Sequence, residues 1–359
     1  MNYRLATILA EESATTPATK TIDLNVNDPI SRLNIVFIPL NSNQTIIGHP
    51  ALCLKKVEIV DGSDVLFAAD GKELRAAAFY GIGKPPVDIL SYNISDKCKF
   101  EASIFFGRRL WDPELALDPT KFTNLQLKIT HDLALGGSTP TAATLAVLAD
   151  IFDEKMISPR GFLMTKELYS YLPGASAHQY IDFPRDFPYR MIMVGGDSHT
   201  RQPSVRIEEL KLSEDYDRKI PIPTTNMKSL LRGIAQMHPR IRDFIIAQIA
   251  TTETNIPMTG GYEGAAVGSP YGDTHGVVAF GNGGGGNIHG YAEAASTYWV
   301  YADGWCPHNF VLLPTGDLED IEDYYDPTGL KNLRLDILAG SDPGTSDAIQ
   351  ILGQQLRKY

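Results

Sequence analysis

The chain has 359 residues, 43% apolar and 21% charged, an ordinary globular profile with length enough for two hydrophobic cores. Its 32 basic residues against 43 acidic ones leave a net charge of −11. That argues against wrapping nucleic acid, which needs phosphates neutralised by Lys and Arg, and no apolar run approaches the roughly 18–20 residues of a bilayer-spanning helix.

Residues 1–20 are expected to form an N-terminal arm, polar after Ala10 and interrupted by Pro17. Its apolar stretch is shorter than a signal-peptide core, so the mature chain is expected to begin near Met1. Strand-like alternation starts with Ile22, Leu24 and Val26, and the run 32–40 (RLNIVFIPL) is apolar on both faces. Two alternating runs in 57–70 flank Asp61-Gly62, a strong hairpin signal. Residues 99–113 predict a further strand, and Asn124 to Ile129 closes a first unit at about residue 135. A connector follows over 136–177. Gly136 to Pro140 breaks the sheet, and Thr141 to Phe152 predicts a helix with Leu145, Leu148 and Phe152 on one face. A second unit spans 178–340 and holds another predicted helix, Ile241 to Ala250. In the tail, 341–359, Ile349, Leu352 and Leu356 sit at helical spacing, as for a helix that caps its own subunit or, alternatively, an arm that grips a neighbour.

The two units echo each other. DPTKFTNLQLKI (118–129) and DPTGLKNLRLDI (326–337) share Asp, Pro, Thr, Asn, Leu, Leu and Ile at matching places. Ile22-Asp23-Leu24, Asp28 and Arg32 to Ile35 are echoed by Ile181-Asp182-Phe183, Asp186 and Arg190 to Met193. In 51–60 (ALCLKKVEIV) and 204–213 (SVRIEELKLS) the apolar residues change parity halfway. Side chains alternate faces along a strand, so such a change needs one inserted residue. A β-bulge is therefore predicted at Lys55-Lys56 and again at Glu208-Glu209. The echoes that begin at Ile22 and at Ala51 lie 159 to 153 residues apart and the Asp-Pro-Thr echo 208, which places an insertion at about 235–300 of the second copy, expected as a long loop excursion.

Motifs that could carry chemistry are weak. Gly281, Gly283 and Gly286 match G-x-G-x-x-G, with Asp303 beyond, but no βα units follow and no G-K-[ST] occurs, so a flexible loop is expected there. The eight histidines (49, 131, 178, 199, 238, 275, 289 and 308) show no H-x-H or H-E-x-x-H spacing, although His275 and His289 flank the Gly-rich run. Asp61, Asp64, Asp112 and Asp118 lie at turns, where Asp accepts nearby amides. The acidic stretch Asp317 to Asp323 reads as a solvated face, with a divalent-cation site as the minor alternative. Cys53, Cys98 and Cys306 lack metal-like spacing and read as reduced, partly buried thiols. No catalytic, cofactor-binding or metal-binding residue is assigned, and no cofactor is expected.

An antiparallel chain of many short strands must close its sheets or protect their edges, which a jelly roll does with eight strands in two sheets. The expected class is all-β: two tandem eight-stranded jelly rolls with a few short helices in the connectors. The segments GRRLWDPELALDPTKFTNLQLKI and LKKVEIVDGSDVLF, within this architecture, resemble the double jelly-roll major capsid proteins of icosahedral viruses, the lineage of adenovirus hexon and of tailless, membrane-containing bacteriophages. The resemblance covers about 21–340 and rests on architecture more than on a motif. It implies a structural protein, not an enzyme, that assembles as pseudo-hexagonal homotrimers in a virion shell built in the host cytoplasm. It further implies minor capsid or vertex proteins as partners, an internal lipid membrane as a possible one, and no sequence-specific nucleic-acid binding. The alternative is an enzyme or carbohydrate-binding protein on a double jelly roll, of bicupin or glycan-hydrolase type.

Overall fold

The computed structural model describes residues 2–85, 87–155, 157–196, 201–270, 278–344 and 347–359. The first half contains β1 (Tyr3–Ala14), β2 (Ala18–Asp23), β3 (Ile30–Asn41), β4 (Leu54–Asp61), β5 (Asp64–Ala69), α1 (Gly71–Ile82), β6 (Val87–Ser91), β7 (Phe100–Phe105), β8 (Leu125–His131) and β9 (Pro140–Phe152). Eight of these strands make two facing sheets in the orders β1-β9-β3-β7 and β2-β8-β4-β5, the jelly-roll arrangement. Alternation drives it: Leu33, Ile35 and Phe37 of β3, Leu125, Leu127 and Ile129 of β8, and Leu145, Val147 and Ile151 of β9 all point into one core.

The second half contains β10 (Gly161–Tyr171), β11 (His178–Asp182), β12 (Tyr189–Gly195), α2 (Pro203–Arg206), β13 (Ile207–Glu214), β14 (Lys219–Asn226), α3 (Met227–Met237), β15 (Ile241–Ile249), β16 (Thr254–Pro257), β17 (Gly260–Pro270), β18 (Val278–Gly284), β19 (Asn287–Ala292), β20 (Ser296–Pro307), β21 (Val311–Leu312), β22 (Leu333–Ala339) and β23 (Ile349–Lys358). Its sheets run β10-β23-β12-β21 and β11-β22-β13-β14. Strand for strand this is the first half again, with α3 following β14 as α1 follows β5. A parallel bridge between Ala68 and Lys166 joins β5 to β10, so one eight-stranded sheet runs through both barrels.

Both predicted bulges are present. Between β4 and β8, Leu54 faces His131 but Lys56 faces Thr130; between β13 and β22, Ile207 faces Ala339 but Glu209 faces Leu338. The echoes extend to single hydrogen bonds. Ile30 and Leu117 exchange amide bonds, and so do Tyr189 and Tyr325. Asp61 accepts from the amides of Thr123 and Asn124, and Asp215 from those of Lys331 and Asn332.

Four expectations need correction. Residues 1–20 are not a free arm: β1 pairs with β9 and β2 with β8. The connector helix over 141–152 is strand β9, held between β1 and β3. Its Leu145, Val147, Ala149 and Ile151 are buried at period two, while Leu148 takes the other face. The tail is strand β23, inserted between β10 and β12. The helix over 241–250 is strand β15. The first barrel therefore takes in β1 to β9 and the second β10 to β23, with little connector between them.

The inserted segment is a folded tower. Sheet β17-β20-β15-β6 packs against sheet β16-β19-β18 around its own core, in which Ile245, Ile249, Val300 and Tyr298 meet Ile256, Ile288 and Met258. Strand β6, from the first barrel's matching connection, pairs in parallel with β15, so both barrels build the tower.

Candidate assembly surfaces

The barrels meet at α1. Asp70 starts this helix by accepting from the amides of Lys72 and Glu73, and the Glu73 carboxylate accepts from the Asp70 amide in return. Gly83, at φ 69°, ends it in a left-handed cap. Ten of its twelve residues are buried, which an amphipathic surface helix cannot achieve. Leu74, Phe79 and Tyr80 join the main core, and the other side faces the second barrel. There Arg190 of β12 donates to the Gly81 carbonyl at 2.8 Å, the Leu318 carbonyl at 2.8 Å and Gln354 Oε1 at 2.9 Å. A Cβ on Gly81 would stand 3.1 Å from Arg190 Nη1 and 3.7 Å from Met191 Cε, so a larger residue there would push the guanidinium aside. Gln350 of β23 donates to Glu73 and Asp70, and Arg357 of β23 pairs with Asp64 of β5 at 2.6 Å. Burial drives Glu73 well above the usual carboxylate range, with Asp70 and Glu167 adding to it. The Arg357 bond holds Asp64 below that range.

The equivalent helix α3 is open. Asn226 caps its start by accepting from the Lys228 amide, but only Met227, Leu231 and Ile234 are buried. Lys228, Ser229, Arg232, Gln236 and Met237 face solvent, Met237 at 71% exposure. A matching gap lies on the first barrel. In the second barrel Met191, Met193, Leu352 and Gln354 of β12 and β23 are buried beneath α1 and its barrel. The corresponding outward positions of β3 and β9, Arg32, Asn34, Leu148 and Asp150, are only half-buried, and Leu5 of β1 is 61% exposed.

The tower carries an apolar outer face. Val267, Tyr301, Phe244 and Ile89 form one row across β17, β20, β15 and β6, with Phe244 and Tyr301 ring centroids 5.4 Å apart. At the tower's base the His49 and His308 rings stack edge-on at 4.7 Å. His49 Nδ1 accepts from the Ala51 amide, and its Nε2 lies 3.3 Å from Thr259, whose hydroxyl and amide donate to the buried Asp243. His308 is fully buried and held well below the ordinary imidazole range, by desolvation first and then by His49, Arg75 and Lys72.

The other sequence candidates disperse. His131 packs beside Phe37, His178 bonds Asp336, His238 lies against Tyr80 and His289 pairs with Glu253. His199 and His275 fall outside the described residues. Among the described residues no cluster of three His, Cys, Asp or Glu could hold a metal ion. The Gly-rich run is a β-hairpin: Gly285 and Gly286 turn β18 into β19, and their carbonyls accept from Asn309 and the Met258 amide. Asp112 pairs with Arg108, and Asp118 caps a short turn. The acidic stretch is exposed; Asp320 caps its own turn while Glu319 reaches Arg109 and Arg190. Burial pushes the Cys53 and Cys306 thiols up to about 12, so neither is a nucleophile at neutral pH. The junction residues themselves, Gly81, Arg190, Gln350 and Gln354, were not singled out as a site; only the Asp70-x-x-Glu73 capping box signals the helix they surround.

No helix among the described residues is long and apolar enough to cross a membrane. No family model matches the sequence, and no curated protein matches it. Solved structures do match, over nearly the whole chain. The STIV major capsid protein superimposes with a TM-score of 0.59 at 12% identity, covering 100% of this chain and 98% of its own. VP54 of PBCV-1, as fitted into a reconstruction of the virophage Sputnik, gives 0.60 at 10%, covering 99% and 94%. The major capsid protein of bacteriophage PM2 gives 0.55 at 10%, covering 99% and 98%. On these superpositions, which span nearly the full length of both partners, this protein has the double jelly-roll fold of viral major capsid proteins.

Proposed function

We propose that this chain is the major capsid protein of an icosahedral virus, assembling as homotrimers whose six barrels form a pseudo-hexagonal building block. The observation that carries this reading is the duplication: one barrel, with its helix, bulges and aspartate clip, built twice in a single chain. A doubled unit lets a threefold assembly offer six similar sides, so one gene product can tile a hexagonal lattice. Matches that span nearly the full length of viral coat proteins support it. In this reading the side chains are structural, and the tower at 235–300 faces outward on the shell. Minor capsid or vertex proteins and an internal lipid layer are further partners, and assembly takes place in the host cytoplasm before the protein resides in the virion.

Light scattering on the purified protein tests it. A stable species near three times 39.4 kDa is expected; a monomer at all concentrations would refute the assembly. Protease cuts on intact particles should fall mainly in the tower.

A further inference from the structure

Each chain completes one of its two barrel junctions and leaves the other half-made at both ends. Helix α1 is buried on ten of its twelve residues, and the outer face of the second barrel reaches it through Arg190 and Met191 of β12 and Gln350 of β23. Among the described residues, helix α3, at the same place in the second barrel, has no such cover, and the outer face of β1, β9 and β3 has no helix upon it. We infer that α3 and β14 of one copy dock on the outer face of β1, β9 and β3 of a second copy, repeating between chains the junction that α1 and β5 make within one. This deepens the coat reading and rests on it for closure of the ring at three chains.

Charge supports the pairing. Helix α3 carries Lys228 and Arg232 and no carboxylate, whereas the receiving sheet holds Glu11, Glu12, Glu101 and Asp150 against Arg4 and Arg32. Shape supports it too: the uncovered sheet positions Leu5, Val36, Ile38 and Leu148 form an apolar stripe facing outward. Donor and receiver are different patches, so the contact is heterologous and must close a ring or grow a filament.

The internal junction also fixes the register. Ala68 bridges Lys166, two residues before the cap Asp70. Two residues before the cap Asn226 stands Thr224. On the receiving side, Met191 faces Gln354 just past a bulge, and Arg32 faces Asp150 likewise; Thr165 then opposes Gln354 as Leu5 opposes Asp150. Ala6 thus takes the place of Lys166, and Thr224 of one copy lies beside Ala6 of the next.

Paired cysteines test this on the full chain. A disulfide closes only when Cα atoms lie within about 7 Å, and the native Cys53, Cys98 and Cys306 are all buried. The double variant Thr224→Cys with Ala6→Cys should convert under mild oxidation into covalent closed trimers, while each single variant stays monomeric on a non-reducing gel. Light-scattering trimers without cross-links would overturn the docking and spare the coat reading, and ladders longer than three chains would overturn the closed ring. A monomer that never cross-links would sink both. Separately, Lys228→Glu with Arg232→Glu, both exposed, should weaken the assembly at least about tenfold in dissociation constant while leaving the monomer's circular dichroism unchanged; an unchanged constant would count against the docking.

Discussion

Helices α1 and α3 stand at the same point of the same barrel topology, yet one is buried on ten of its twelve residues and the other on three of its eleven. The difference lies in the surroundings and shows in the sequences. KELRAAAFYG, inside α1, uses three consecutive alanines and a final glycine where a second barrel presses in; KSLLRGIAQM, inside α3, keeps Lys228, Arg232 and Gln236 for water or for another chain. A duplicated fold diverges where its two copies meet different neighbours.

The sharpest way to break this contrast is to remove an arginine from each side. Arg190→Ala would leave the Gly81 and Leu318 carbonyls and Gln354 Oε1 without their donor in a buried junction. It should cost about 3 kcal/mol of folding stability, measured by chemical denaturation. Arg32 occupies the matching sheet on the first barrel and bonds Asp150 at 2.7 Å with its side chain 28% exposed. Arg32→Ala should cost less than about 1 kcal/mol in the isolated chain, because such pairs are screened by solvent. In the assembled trimer the gap between the two variants should narrow as the Arg32 face becomes covered. Equal losses in the monomer would mean that the two faces are alike and the contrast is false.

Much of this architecture was legible in the residues. The parity changes at Lys55-Lys56 and Glu208-Glu209 forced bulges, because no other device returns apolar side chains to the same face. What misled was local spacing. Leu145, Leu148 and Phe152 fit one helical face, but Val147 and Ile151 with them also fit a strand, and the neighbours that decide the matter, β1 and β3, lie more than a hundred residues away in sequence. The same ambiguity turned Ile349, Leu352 and Leu356 into an expected helix, although β10 and β12 bracket them as a strand. Helix α1 hides behind the hairpin pattern of 57–70, which ends on the capping Asp70; its one local signal is Glu73, three residues on. The junction around Arg190 could not be read at all: three of its partners are main-chain carbonyls, which leave no trace in side-chain identity.

A second, smaller effect compares the tower with the barrels. His308 sits neutral at the tower's base, facing His49, Arg75 and Lys72. Its proton affinity is lowered on folding, so above the ordinary imidazole value, about 6.5, it neither helps nor harms. Below that value the unfolded chain takes up a proton that the folded chain refuses, and stability falls by about 1.4 kcal/mol per pH unit. Unfolding midpoints at pH 7, 6 and 5 should show this loss, and His308→Gln should flatten it. A variant whose acid slope equals that of the parent would exclude His308 as the cause.

The smallest expected effect is the control. Asp61 and Asp215 clip the same turn in the two barrels, each accepting from two consecutive amides just before β8 or β22. In Asp215 those bonds hold the carboxyl below its usual range. Both clips lie at turns away from α1 and α3; they differ in that Asp215 holds a left-handed φ of 48°. Asp61→Asn and Asp215→Asn, which keep a side chain that tolerates a left-handed φ, should lower the thermal midpoint by similar small amounts, each less than Arg190→Ala does. If these two variants differed as widely as the arginine pair, divergence would be spread through the whole duplicated unit. If they match, it is confined to the faces where one barrel meets another, and the unfilled side of α3 is explained by a missing neighbour rather than by drift.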